Sequence, residues 1–345
     1  MTHVMTRADH TRRLLRTVLF AVSVGAGMIP GVDVGSQGRP RLATEDDFRR
    51  AMKELSNSGR WGKDDELGAS NFITPAKRRQ AAALVKEGLS VSLSHAVTQD
   101  AESGTKLERV VLNVTDTGAA DKYGYTGTYH GATESHMDAV DCHVMWEGKG
   151  YNGVSAEEVR AANGCPRGNI DVQRDGVFTR AVLFDATLLP GKATPRGWLE
   201  PGTAIHREDL EALEKIEGVK VAAGDVILLY TGRWKRQASA SAGGLAPGGA
   251  GYHADVAYFL KERDVSFIGH DRINDVGPTG FPPAIGNPLH KLALASLGVA
   301  IFDNLDLERV TDVARRLKRW EFLFTVAPLR IEKGMGSPVN PIATF

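Results

Sequence analysis

Apolar and polar positions follow two different periods along the second half of the chain. Short apolar runs have the length of buried strands, and several of them end in polar residues. The segments between these runs space their apolar positions as amphipathic helices do. Strands are therefore predicted over 179–185, 226–230, 265–269 and 299–302, and helices over 206–215, 255–263 and 289–297. Because helices and strands alternate, the pattern predicts an α/β fold.

The first half of the chain carries fewer such signals. Thr44 has the features of a helix N-cap and opens the folded body. An alanine-rich helix is predicted over 75–86, where the first residue is proline. Residues 89–93 alternate as a strand does, and 110–114 form a second candidate strand. The small residues of 238–251 predict a flexible insertion.

The amino-terminal segment differs in composition from the rest. Arg12 and Arg13 precede the apolar run 17–29, as in a secretory signal of the twin-arginine type. The run is too short to predict a membrane span, no clear cleavage site follows, and a disordered extension is the alternative. We expect residues 1–43 to be a signal-like or disordered extension with a linker, and 44–345 to be a single domain. The protein is accordingly expected in the cytoplasm or exported through a twin-arginine-like signal.

Length and charge exclude some classes of partner. The chain has 345 residues, with 42 basic and 42 acidic side chains and a formal net charge of zero. This balance gives no support to nucleic acid or an acidic membrane as a partner. Two cysteines, Cys142 and Cys165, imply no disulfide framework. From the sequence, Cys142 could be a soft metal ligand or a small buried residue.

A cluster of imidazoles and carboxylates between residues 130 and 143 indicates metal chemistry. It contains His130, Glu134, His136, Asp138 and His143. Imidazole and carboxylate together suit zinc, manganese or iron. On an extended segment, residues of equal parity face the same side, so the first four could share one face. His143 has the opposite parity and needs a turn or bulge to join them.

Polar residues also stand at the predicted ends of strands. They are Asp185, Thr231, His270, Asp271 and Asp303. The carboxyl ends of strands are where α/β sheets gather ligands, although aspartate is also an ordinary turn residue. Together with the histidine cluster, these residues favour a site at that edge of the sheet.

These motifs resemble the metal-dependent cyclase family, which includes bacterial kynurenine formamidase and isatin hydrolase. The family hallmark is His-x-Gly-Thr-His-x-Asp-x-Pro-x-His, and residues 129–139 and 142–153 are similar to a longer form of it. Segments 61–68, 229–232 and 288–307 also resemble the family. The resemblance covers roughly residues 45–335. It implies a mixed β-sheet or barrel-like core flanked by helices, of the family's swivelling β/β/α type.

This sequence departs from the family pattern at three points. Glu134 replaces the second histidine of the longer form, one extra residue, assigned to Asp141, precedes Cys142-His143, and the hallmark proline is absent. Glutamate can still bind a divalent ion, so the first change need not abolish the site. The departures put metal preference, substrate and activity in doubt.

The resemblance implies a role for each candidate residue. One or two divalent ions, Zn or Mn, are expected on His130, Glu134, His136, Asp138 and Asp303. His143 and His290 are implied as the catalytic proton-transfer residues, or as ligands of a second ion. Expected to line the substrate pocket are Trp61, Trp146, His253 and His270. His95 and His206 are instead expected to be structural or surface residues.

Such a site supports hydrolysis through a metal-activated water. The leading hypothesis is an arylformamidase-like hydrolase that cleaves the C–N bond of an aryl formamide or cyclic amide. The alternatives are lactone hydrolysis or polyketide-type cyclisation on the same fold, or a catalytically impaired metal-binding protein. The expected partner is a small carbonyl substrate, and the resemblance implies a homo-dimer or homo-tetramer without a stable membrane span.

Overall fold

A nine-stranded mixed sheet organises the fold. The computed structural model describes residues 42–96, 106–126, 128–130, 134–239 and 248–345. The strands are β1 Ser90–Ser92, β2 Lys106–Thr115, β3 Gly118–Thr126, β4 His136–Asp138, β5 Val177–Asp185, β6 Ala204–Ile205, β7 Val226–Tyr230, β8 Gly251–Tyr252, β9 Phe267–His270, β10 Ala300–Asp303, β11 Glu321–Val326, β12 Gly336–Pro338 and β13 Ile342–Thr344. The large sheet has the order β1-β13-β11-β5-β7-β9-β10-β4-β12.

The centre and the flanks of this sheet run in different directions. Strands β5, β7, β9 and β10 are parallel, whereas the pairs outside them are antiparallel. The strand β4 therefore lies antiparallel beside the end of β10, with β12 on its other side. Two smaller ribbons pair β2 with β3 and β6 with β8.

Helices connect the strands and begin at recognisable caps. They are α1 Glu45–Glu54, α2 Pro75–Ala82, α3 Ala156–Ala162, α4 Arg207–Glu217, α5 Arg233–Ala238, α6 Val256–Arg263, α7 Pro288–His290 and α8 Glu308–Leu317. Thr44 caps α1 through a reciprocal capping box with Asp47. A π-helical stretch, Lys291–Leu297, continues α7. No helix among the described residues is long and apolar enough to cross a membrane.

Both faces of the parallel centre are buried. On β5, Val182 and Phe184 pack into one hydrophobic cluster, whereas Ala181 and Leu183 pack into a second one. A strand covered on both sides loses the apolar–polar alternation of a half-exposed strand. This explains why the central strands are continuous apolar runs in the sequence.

The predicted fold class is confirmed, and most element positions agree. The second helix ends at Ala82 rather than at residue 86. The candidate strand 110–114 is part of a longer strand, β2, that pairs with β3 in a ribbon with exposed Val114 and Tyr123. Residues 1–41 and 240–247, which hold the predicted leader and most of the predicted insertion, lie outside the described residues.

The cysteines differ from the expectation. Cys142 and Cys165 form a disulfide, so Cys142 is neither a free thiol nor a soft metal ligand. The bond links the segment that contains His143 to the loop after α3, across 23 residues of sequence. Two cysteines 23 residues apart give no sequence signal for pairing, because connectivity depends on how the chain folds. Disulfides persist mainly in oxidising compartments.

A buried carboxyl on α4 makes stability depend on pH. Burial raises the pKa of Glu217 to about 9, against 4.5 ordinarily, although a hydrogen bond from the main-chain amide of Asp185 opposes this effect. Between these values the folded protein keeps a proton that the unfolded chain releases, so stability falls as pH rises. Glutamine does not titrate, so we expect Glu217→Gln to lack this pH-dependent loss of stability. The difference in unfolding free energy between the variant and the unsubstituted protein should therefore change by up to about 1.4 kcal/mol for each pH unit. Urea unfolding of both proteins from about pH 5 to 9 measures this difference. If stability depended on pH in the same way in both proteins, the raised pKa of Glu217 would be contradicted.

Candidate metal centre

Two adjacent strands place three of the candidate ligands. His136 and Asp138 lie on β4 two residues apart, so their side chains leave the same face. Asp303, the last residue of β10, pairs directly with His136 across the antiparallel ladder. The Nε2 atom of His136 lies 3.9 Å from Oδ2 of Asp303 and 3.7 Å from Oδ1 of Asp138. The sheet register thus joins residues that are far apart in sequence.

The tautomer of His136 is suited to a metal. Its Nδ1 atom lies 2.8 Å from the carbonyl oxygen of Glu134, which can only accept a hydrogen bond. The proton therefore sits on Nδ1 and leaves the Nε2 lone pair directed at the carboxylates. Metal-binding histidines commonly have their second nitrogen held in this way.

His130 and His143 flank β4 and stack on each other. Their ring centroids are 4.0 Å apart with an interplanar angle of 15°. Nδ1 of His130 lies 3.0 Å from Oδ1 of Asp138, and Nε2 of His143 lies 3.6 Å from the same oxygen. The His130 ring also lies over Gly336 of β12, where a Cβ would come within 2.8 Å of it. Glycine at 336 leaves the space that this ring occupies.

Asp138 is the focus of the cluster. Its side chain is 1% exposed, and neither carboxylate oxygen has a hydrogen bond of acceptable geometry with any residue that the structure describes. Burial alone would raise the pKa of Asp138, but the imidazoles of His143 and His130 lower it below its ordinary value. A buried, ionised carboxylate without hydrogen bonds is costly unless a cation compensates it.

His290 enters from α7 and is held by two carboxylates. Its Nδ1 atom lies 2.5 Å from Oδ2 of Asp275, and its Nε2 atom lies 3.3 Å from Oδ2 of Asp303. Asp303 is fixed in turn by the main-chain and side-chain amides of Asn274. Burial alone would lower the pKa of His290, but the two carboxylates raise it well above its ordinary value. The π-helical stretch follows directly, a feature frequent at functional sites.

The arrangement fits a divalent metal ion. Ligands held about 2.0–2.2 Å from one ion are separated from each other by roughly 3–3.5 Å, close to the spacing of these atoms. Around Asp138, two groups of three side chains have ligand atoms within 4.8 Å of one another: His130, His136 and Asp138, and then Asp138, His290 and Asp303. Asp138 belongs to both groups and contributes two free oxygens. The donor set of imidazole and carboxylate suits zinc or manganese.

The remaining candidates lie in different surroundings. The carbonyl of Glu134 supports His136, and the residue belongs to neither group of possible ligands among the described residues. The Trp61 ring packs on Phe72, and the Trp146 ring packs on Phe48. Each of these contacts is T-shaped and holds the indole against the body of the domain.

Two further histidines were expected to line the pocket. His270 is fully buried at the end of β9, and its Nδ1 atom accepts a hydrogen bond from the amide of Arg272. His253 lies in a separate cluster with His206 and Asp255. Their roles toward a substrate stay predictions.

Sequence reasoning missed Asp275 and Asn274. Both lie in the loop after β9, and neither belongs to a motif that suggested metal binding. Asp275 also accepts hydrogen bonds from the main-chain amides of Leu289 and His290, so it fixes the start of α7 as well as the imidazole. The only signal was an Asn-Asp pair shortly beyond His270.

Comparison with known proteins identifies the family. The model of the family described as "putative cyclase" matches residues 81–274, more than half of the chain. The protein belongs to the putative cyclase family. The match includes the cluster segment 130–143 and ends before His290 and Asp303.

Solved structures agree with the fold of this cyclase-family protein. It is similar to a structure described as a novel cyclase, with 25% identity, a TM-score of 0.72, and coverage of 85% of this chain and 99% of that one. It is also similar to an isatin hydrolase bound to the product analogue thioisatinate, with 17% identity, a TM-score of 0.51, and coverage of 76% and 93%. The second likeness speaks for the fold alone. No curated protein sequence matches the chain.

Proposed function

We propose that this cyclase-family protein is a metal-dependent hydrolase that cleaves the C–N bond of an aryl formamide or cyclic amide. One observation carries the proposal: buried Asp138 directs two carboxylate oxygens at a ring of imidazoles, and neither oxygen has a hydrogen bond within the described part of the chain. A structure with a similar fold is described as an isatin hydrolase, an enzyme named for a cyclic amide, so cyclic amides are among the first substrates to test.

The candidate residues divide into metal ligands and one proton-transfer residue. His130, His136, Asp138 and Asp303 would hold the ion, and His290 completes the set from the side of Asp275. When bound, a divalent ion lowers the pKa of a coordinated water and polarises a substrate carbonyl. The carboxylates of Asp138 and Asp303 supply the negative charge that balances it. Glu134 remains a proposed ligand through its side chain.

His143 is suited to proton transfer. Burial lowers the pKa of His143 below its ordinary value, although Asp138 opposes this effect. At neutral pH the imidazole is therefore neutral and can accept a proton from the attacking water. The same proton can then pass to the leaving nitrogen, so that the amide yields an amine and a carboxylic acid, which loses its own proton to solvent at neutral pH.

We expect His143→Gln to separate catalysis from metal binding. The variant should retain its metal while kcat falls about 100- to 10,000-fold, since a general base is lost. The acidic limb of the pH–rate profile should also disappear, because that limb reports protonation of the base. Metal content and kcat from about pH 5 to 9 measure both effects. A variant that keeps kcat within about threefold would contradict the role of His143.

The substrate class is tested with metal-loaded protein. N-formylkynurenine, isatin and a set of aryl lactones are assayed in parallel, before and after treatment with a chelator. We expect turnover of at least one of the first two, lost on chelation and restored by Zn²⁺ or Mn²⁺. Turnover of lactones alone would place the enzyme in the lactone-hydrolase class. Metal binding without turnover of any carbonyl substrate would contradict the enzymatic proposal.

A further inference from the structure

A second cluster of metal-binding side chains lies apart from the centre around Asp138. It consists of His206, His253 and Asp255, which we call the ribbon cluster, and it shares no residue with the first. The sequence suggested a structural role for His206 and a substrate contact for His253. Their convergence on one carboxylate depends on the tertiary fold.

A short parallel ribbon places the two imidazoles side by side. Strands β6 and β8 pair in the register Ala204 with Gly251 and Ile205 with Tyr252. His206 directly follows β6, and His253 directly follows β8. The centroids of their rings are 4.5 Å apart. The amide of His253 donates to the carbonyl of Ile205 at 2.8 Å, which fixes this alignment. The site is therefore set by backbone pairing rather than by flexible side chains.

Asp255 completes the cluster from the start of α6. Its Oδ2 atom lies 2.7 Å from Nδ1 of His206 and 3.0 Å from Nδ1 of His253. Its Oδ1 atom is buried and has no hydrogen-bond partner among the described residues. The contact with His206 is a hydrogen bond, so the second imidazole and the unpartnered Oδ1 are the groups that a bound ion would satisfy.

Two contacts compete for one nitrogen of His253. Its Nδ1 atom lies 3.3 Å from the main-chain amide of Asp255, which can only donate, and 3.0 Å from the carboxylate atom Oδ2 of Asp255, which accepts. A ring nitrogen has either one proton or one lone pair, so it cannot form a hydrogen bond with both. A cation held between Oδ2 and the ring nitrogen would satisfy the closer contact.

The surrounding charge also favours a divalent cation. The cluster opens into a cavity of about 420 Å³ whose charged lining residues are Glu208, Asp209, Asp255 and Lys192. Three carboxylates against one ammonium leave a net charge of −2 when the histidines are neutral. Lys192 is already bound to Asp209 and to the carbonyl of Ala204.

We propose that the ribbon cluster is a second metal site that binds a transition-metal dication of the zinc, cobalt or nickel class. Two imidazoles and one carboxylate form a three-ligand set that leaves coordination positions open toward the cavity. Hard ions such as Mg²⁺ prefer all-oxygen ligands and are not expected there. The proposal does not depend on the hydrolytic activity proposed above.

Zinc stoichiometry tests the proposal. Equilibrium dialysis against Zn²⁺ is compared for the unsubstituted protein and for His253→Ala, Asp255→Asn and the control Asp312→Asn, an exposed carboxylate on α8. We expect the two cluster variants to bind one equivalent less, and the control to bind as much as the unsubstituted protein. Folded cluster variants that bind an unchanged number of equivalents would overturn the proposal.

A second measurement leaves the ribbon cluster intact. In Asp138→Asn, which disables the first centre, Zn²⁺ should still raise Tm, and Mg²⁺ should not. Adding Asp255→Asn should abolish the rise in Tm. Absence of any rise in Asp138→Asn at saturating Zn²⁺ would overturn the proposal even if the cluster variants fail to fold. Because neither readout uses turnover, an inactive protein would test the proposed function without affecting this result.

Discussion

Asp138→Asn is expected to lose its metal at the first centre and to lower kcat/KM by about 1,000-fold or more, roughly 4 kcal/mol of transition-state stabilisation. Asparagine keeps the shape of the side chain but removes the charge and one of the two free oxygens. Because Asp138 belongs to both groups of possible ligands, no other single residue should have so large an effect. Metal content and kcat/KM of the purified variant measure it.

The matched control is Asp312→Asn. This carboxylate is 79% exposed on α8 and faces solvent, so metal content and activity should remain unchanged. An Asp138→Asn protein that retains its full metal complement and activity within about tenfold would show that this carboxylate is not a ligand. The Asp138→Asn protein should also still bind Zn²⁺ at the ribbon cluster, so the two sites can be measured separately.

Gly150→Ala is expected to destabilise the fold by about 3 kcal/mol, the upper range for an overpacked interior. A Cβ at this position would lie 1.6 Å from the carbonyl oxygen of Asp141, and a main-chain atom cannot turn aside as a side chain can. The amide of Gly150 also donates to the carbonyl of Val154 at 2.8 Å, so the segment cannot shift freely. Chemical denaturation of both proteins measures the change.

Gly118→Ala provides the comparison for this prediction. Gly118 starts β3, and a Cβ added there would have no neighbouring atom within 4 Å, so alanine meets no steric obstacle. Its midpoint of unfolding should differ little from that of the unsubstituted protein. Since Asp141 lies two residues before His143, Gly150→Ala should also lower activity. Equal stability of the two glycine variants would contradict the close approach of position 150 to the carbonyl oxygen of Asp141.

Local sequence signals predicted the elements of the fold better than their partners. The runs that became β5, β7, β9 and β10 were recognisable because strands buried on both faces must be continuously apolar. The N-cap at Thr44 was recognisable because a cap is formed within four residues. By contrast, the pairing of β4 with β10 depends on contacts between distant parts of the chain, for which the sequence has no periodic signal.

The candidate site shows the same division. His136 and Asp138 could be named from spacing alone, since they share one strand face. His290 was named by family resemblance alone, and Asp303 was named both by its place at a predicted strand end and by the resemblance, because nothing local links either residue to the histidine cluster. Asp275 and the ribbon cluster were missed because each is assembled from segments that meet only after the sheet forms.

The most direct test of the central claim is an anomalous difference map from crystals grown with Zn²⁺ or Mn²⁺ and measured at the metal's absorption edge. We expect a peak about 2.0–2.2 Å from a carboxylate oxygen of Asp138, with imidazole nitrogens of His136 and at least one more histidine at similar distances. Metal-loaded crystals with no peak beside Asp138 would contradict the account.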